Sequence, residues 1–119
     1  MSDYESKIRD YYDLKPTRFP ALHSLTISQA ISPSGVCEQT VSVVLGTDIE
    51  TTEGRLHVEF YGVRRFALQQ PDWSLVTLSH IEILRGREIP NCDGNYLVRD
   101  PEQERIIWFE CRDFKALIK

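Results

Sequence analysis

Residues 56–68 read Leu56-His57-Val58-Glu59-Phe60-Tyr61-Gly62-Val63-Arg64-Arg65-Phe66-Ala67-Leu68, and this stretch decides the fold. Leu56, Val58 and Phe60 occupy alternate places against His57, Glu59 and Tyr61, the period of a strand with one face buried and one in water. Gly62 interrupts the alternation, and a glycine there marks a bulge or a bend. Beyond it Val63 to Leu68, carrying Phe66 and Leu68, either continues the strand or pairs back as a further one.

The period of two extends in both directions. Upstream, Leu25, Ile27 and Ile31 alternate with Ser24, Thr26 and Ser28 until Pro33-Ser34-Gly35 makes a turn. Val41, Val43 and Leu45 then face one way against Thr40, Ser42 and Val44, and the run stops at Gly46-Thr47-Asp48. Downstream, Leu75 to Leu84 reads as one long strand with Leu75, Ile81 and Ile83 on one parity and Val76, Leu78 and Leu84 on the other. A bulge near Ser79-His80 would reconcile them. Asp93-Gly94 is the strongest short turn signal, because positive φ is cheapest at such residues. Tyr96 to Val98, a turn at Asp100-Pro101-Glu102, and Arg105 to Cys111 follow as a hairpin. Both parities of Ile106-Ile107-Trp108-Phe109 are apolar, which predicts a strand covered on both sides with Trp108 in the core. Phe114 to Ile118 is either a last strand or a short helical turn.

Only the N-terminus breaks the pattern. Ser2 and Glu5 have the form of a capping box, and Tyr4, Ile8 and Tyr11 or Tyr12 form an apolar stripe, so a helix is predicted over about residues 3–13. Lys15-Pro16 and Phe19-Pro20 end it, since a proline disfavours helical geometry in the residue before it. One short helix followed by about seven turn-separated strands predicts a mainly β, β-rich α+β protein. The expected form is a curved antiparallel sheet or sandwich in a single domain over residues 1–119, with its β body over about 22–118.

Composition narrows the function. A chain of 119 residues with 41% hydrophobic and 27% charged residues can bury a core without a metal or disulfide staple. The net charge is −4, and the deficit lies in residues 1–59, which carry five basic and nine acidic side chains. This argues against nucleic acid, whose phosphates demand a concentrated basic surface, and points to a partner that is basic if charge steers it. Cys37, Cys92 and Cys111 are an odd set without C-x-x-C spacing, so they read as reduced thiols, with Cys111 buried and Cys92 the exposed one. No metal or cofactor is expected. A terminus without a basic-then-apolar leader, and no apolar run near the ~20 residues of a membrane span, lead us to expect a cytoplasmic protein.

No phosphate-loop, dinucleotide, zinc-protease or nucleophile-elbow motif occurs in the chain. The nearest approach to a catalytic constellation is His57, Glu59 and Tyr61, which strand geometry sets about 7 Å apart on one face. They are pocket candidates for a small-ligand binder or minor enzyme on a curved sheet, or else a plain solvated face. His23 and His80 read as structural. Arg64-Arg65 and Arg85-Gly86-Arg87 are the basic clusters, with forks suited to carboxylate or phosphate. Asp48, Glu50 and Glu53 form an acidic loop matched to a basic partner, and Trp73 is the aromatic that either folds onto the core or anchors a contact.

Residues 56–68 together with Ile106-Ile107-Trp108-Phe109-Glu110-Cys111-Arg112-Asp113-Phe114 resemble small uncharacterised bacterial β-rich proteins that include immunity proteins of polymorphic toxin systems. In both, a strand ending in an aromatic-Gly-hydrophobic step precedes a second strand, and a late strand ends in an aromatic-rich segment. The resemblance implies a cytosolic, non-enzymatic protein that binds and blocks a partner. The expected function is therefore that of a protein-binding module with candidate contacts at Asp48, Glu50, Glu53, Trp73, Arg64 and Arg65. A small-ligand pocket at His57, Glu59 and Tyr61, or a homodimer built through an exposed edge strand, is the alternative.

Overall fold

A computed structural model describes residues 3–31, 33–50, 52–68, 80–88, 94–102 and 107–119. Helix α1 (Asp3–Asp13) ends where Lys15 takes a left-handed φ of 58° ahead of Pro16, which opens a short 3₁₀ turn (Pro16–Arg18). Eight strands follow: β1 (Ala21–Ile31), β2 (Cys37–Gly46), β3 (Leu56–Tyr61), β4 (Arg64–Leu68), β5 (Glu82–Arg85), β6 (Tyr96–Arg99), β7 (Ile107–Cys111) and β8 (Asp113–Ile118). They form two antiparallel four-stranded sheets, ordered β1-β2-β3-β8 and β4-β7-β6-β5. The protein is mainly β, as the alternation predicts. Phe114 to Ile118 is a strand, and Ser2 of the expected capping box lies outside the described residues.

The joint between the sheets lies within residues 56–68. Strand β3 passes through Gly62 and Val63 into β4, and β7 passes through Arg112 into β8, so each is half of a long strand bent at a corner. Corners of this kind are how strands switch from one packed sheet to the other. The two bent strands pair with each other along both arms, with Phe60 opposite Phe114 in one and Ala67 opposite Trp108 in the other. At the corner the Arg112 N–H donates to the Tyr61 carbonyl at 2.9 Å and the Val63 N–H to the Gln39 carbonyl at 2.9 Å. Gly62 has φ +63°, and a Cβ there would lie 2.9 Å from Cβ of Arg112. Glycine is required on both counts.

Each half of the chain is thus a three-stranded meander ending on a bent strand: β1-β2-β3/β4, then β5-β6-β7/β8. The sheets enclose one core, in which Val41, Val43 and Leu45 of β2 meet Leu56, Val58 and Phe60 of β3, Ile83 of β5, and Ile107 and Phe109 of β7. Its aromatic centre crosses the corner: Phe60 stands edge-on to Phe109 at 4.9 Å, and Phe114 edge-on to Tyr96 at 4.9 Å. Such pairs add about 0.5–1.5 kcal/mol each beyond the area they bury.

Helix α1 seals one side. Tyr11 is buried and donates its hydroxyl to the Ile81 carbonyl at 2.5 Å. The Tyr12 hydroxyl accepts the Ile83 N–H at 3.1 Å and donates to the Ile83 carbonyl at 3.4 Å. A tyrosine side chain therefore occupies backbone groups that β5, as an edge strand, would otherwise leave open. Lys7 reaches to the other sheet, where it pairs with Asp113 and donates to the Phe114 carbonyl at 2.9 Å.

Three expectations need correction. The long strand over 75–84 is, among the described residues, only Glu82–Arg85, with Ile81 and Ile83 on the buried parity; residues 75–79 and the proposed bulge at Ser79 lie outside them. Trp108 is half-buried, because Ile107, Phe109 and Cys111 hold the inner parity of β7. The outer face there is nevertheless covered, since Glu110 and Leu97 opposite it are both buried. Cys37 is exposed, so Cys92, itself outside the described residues, is not the one exposed thiol; Cys111 is buried as expected.

Candidate functional site

The acidic loop is built at the end of the β1–β2 ladder. Gly46 closes β2 opposite Ala21, and the chain turns so that His23 Nε2 bonds the Asp48 carbonyl at 2.7 Å. A Cβ on Gly46 would sit 2.5 Å from that nitrogen, so glycine makes room for the contact. Asp48 Oδ1 accepts the Glu50 N–H at 2.9 Å, a local turn that leaves both side chains in water. Glu53 is also exposed, and the loop ends where Arg55 and Lys119 exchange two backbone hydrogen bonds of 3.0 Å. Asp48, Glu50 and Glu53 thus form an exposed negative surface on backbone tied down at both ends. His23 is structural, as its isolation predicts.

His57, Glu59 and Tyr61 do lie in a row on the outer face of β3, but the structure divides them. The Tyr61 hydroxyl donates to Glu59 Oε2 at 2.5 Å, and this bond to a carboxylate, helped by partial burial, pushes the phenol up to about 12. His57 is lowered by partial burial first, then by the positive charges of Lys119 and Arg55. His57 and Glu59 line a groove of about 150 Å³ with Ser42, Lys115 and Leu117. Tyr61 lines a different one, of about 450 Å³, between α1 and β8 with Lys7, Leu14 and Asp113. The carboxylate that would orient the imidazole is instead engaged by the phenol.

The arginines separate likewise. Arg64 is exposed and lines a groove of about 450 Å³ at the corner, beside Cys37 and Arg112. Arg65, with φ 54°, turns the other way and places Nη1 3.3 Å from Oε2 of buried Glu110, whose Oε1 accepts the Gly94 N–H at 2.9 Å. Arg85 is buried with its guanidinium 4.4 Å from the Tyr4 ring centre, and Arg87 pairs with Glu5 at 3.3 Å. Arg65, Arg85 and Arg87 are thus each engaged by another residue of the fold, and Arg64 faces the groove. Trp73 lies outside the described residues.

One surface escaped the sequence reading. Leu25, Ile27 and Ile31 share the core-facing side of β1, yet Ile27 is 44% and Ile31 77% exposed, and Val36 beyond them is 58% exposed. The hairpin outruns its neighbour: β3 pairs with β2 only from Thr40 to Leu45, and beyond it Gln29–Ile31 and Cys37–Gln39 pair with each other, with the Val63 N–H still reaching the Gln39 carbonyl. Alternation reports which face a side chain takes. It does not report whether anything lies opposite.

The protein is therefore a helix-sealed, two-sheet β structure with Arg85, Asp100 and Glu110 buried and with an exposed acidic loop and exposed apolar residues on its outside. The chain belongs to the family described as immunity protein PIM8, which matches it over residues 3–117. The resemblance drawn from residues 56–68 and 106–114 is thus to the right group of proteins. No curated protein and no solved structure matches the chain.

Proposed function

We propose that this protein neutralises a toxin by binding it, without catalysis, in the cytoplasm of a bacterial cell. The observation that carries the reading is the family match over nearly the whole chain. The geometry supports binding: the anchored loop presents Asp48, Glu50 and Glu53 to solvent, a preorganised surface for a basic patch on the toxin. Trp73 is the aromatic proposed as the anchor of that contact, and blocking follows from surface complementarity.

The test is a titration against toxin activity, with the candidate toxin sought among the products of the genes beside this one. A binding inhibitor abolishes toxin activity at one equivalent and no lower; inhibition at a small fraction of an equivalent would mean turnover, and none at any ratio would remove the immunity reading. Reversing charge at Asp48→Lys and Glu50→Lys should slow association about tenfold at low salt and flatten its salt dependence, with dissociation little changed. An unaltered association rate would remove the acidic loop from the interface.

A further inference from the structure

From the contrast between β1 and β5, each an end strand of one of the two sheets, we infer that β1 is a self-association edge, pairing antiparallel with β1 of a second copy about a two-fold axis near Ser28. Strand β5 is short, and α1 lies against it with the Tyr12 hydroxyl on both backbone groups of Ile83. Strand β1 runs for 11 residues, Ala21-Leu22-His23-Ser24-Leu25-Thr26-Ile27-Ser28-Gln29-Ala30-Ile31, and stands at the end of its sheet among the described residues. Natural edges are blunted by charge, proline, bulges or cover. Here no Lys, Arg, Asp, Glu or Pro occurs in the strand, and the one irregularity, between Leu22 and Ser24, leaves Ser24–Ile31 regular. From Thr26 to Ile31 every residue is exposed.

The occupant follows from self-complementarity. Residues directly opposite in an antiparallel ladder share a face, so an axis at Ser28 sets Leu25 against the partner's Ile31, and Ile31 against the partner's Leu25. The most exposed apolar side chain of the strand, Ile31 at 77%, gains an apolar neighbour. On the other face Thr26 meets Ala30 and Ser28 meets itself, and no like charges are opposed. Each copy also carries the acidic loop, which adjoins Ala21 at the far end of β1. Antiparallel pairing places the two loops at opposite ends of the joined strands, roughly 40 Å apart. At physiological salt, charges that far apart are screened. The interface is the same patch on both copies and closes on itself, as a two-fold requires. It does not involve Asp48, Glu50 or Glu53, so it stands independently of the toxin reading.

Light scattering of the full chain at tens of micromolar should give a mass near twice 13.8 kDa. Ser28→Lys, which sets like charges face to face on the axis, should return the mass to that of one chain with an unchanged far-ultraviolet spectrum. Ser28→Cys in a Cys37→Ser, Cys92→Ser background should cross-link to a covalent dimer on mild oxidation, and that background without Ser28→Cys should not, because ladder partners fall within disulfide reach. A wild-type chain that stays at the single-chain mass overturns the inference, as does a Ser28→Lys variant that remains dimeric. Protection of the β1 amides from exchange only when a different protein is added would also overturn it, assigning the edge to a foreign strand.

Discussion

Replacing Gly62 by alanine tests the corner on which both sheets depend. Gly62 and Gly54 have the same φ of +63°, but a Cβ at Gly54 would meet nothing within 4 Å, whereas one at Gly62 would lie 2.9 Å from Cβ and 3.2 Å from Nε of Arg112. The left-handed backbone alone costs a non-glycine residue about 1–2 kcal/mol, which is the expected loss for Gly54→Ala. Gly62→Ala bears the same cost plus crowding against a strand that cannot retreat, since the Arg112 N–H is bonded to the Tyr61 carbonyl. Forced contacts of this kind cost about 1–3 kcal/mol, for a total of about 2–5 kcal/mol. In urea, at about 1–1.5 kcal/mol per molar for a chain of this size, the midpoint should fall by about 2–4 M for Gly62→Ala and by about 1 M for Gly54→Ala. Equal midpoints for the two variants would refute the argument that the bent strands are pressed together at Gly62. A larger loss at Gly54 would place the critical turn in the acidic loop instead.

Tyr12→Phe should cost about 1 kcal/mol of stability by thermal or urea unfolding and speed amide exchange at Ile83 by about tenfold, because the N–H and carbonyl that the hydroxyl occupies are returned to water; unchanged exchange would mean that α1 does not guard the β5 edge. Tyr61 should titrate near 12 rather than 10.0 when followed by ultraviolet absorbance, and Glu59→Gln should bring it back toward 10.0. Because the folded value is raised, the stability it contributes is complete below 10.0 and is lost as pH rises from there through about 12. A Glu59→Gln chain with the same alkaline unfolding profile would show that the phenol and carboxylate do not interact in solution.

Alternation and punctuation carried most of the architecture in this chain. Leu56, Val58 and Phe60 are buried to 1% exposure or less and His57, Glu59 and Tyr61 face outward, because a strand's side-chain period is a local property of the backbone. The helix, the bend at Gly62 and the pairing of β6 with β7 were legible for the same reason: an apolar stripe, a glycine and a proline act on their immediate neighbours. The family resemblance was legible in residues 56–68 and 106–114, two segments distant in sequence whose Phe60, Phe109 and Phe114 meet at the corner. Which groups stand together and which faces are covered came from long-range packing instead. Tyr61 takes the Glu59 carboxylate away from His57, Arg64 and Arg65 part company at a positive φ, and Glu110 is buried on a nominally outer face. Ile27 and Ile31 have the pattern of core residues and stand in water, because burial depends on what the opposite sheet brings to that position, and no residue of β1 encodes how far its partner strand extends.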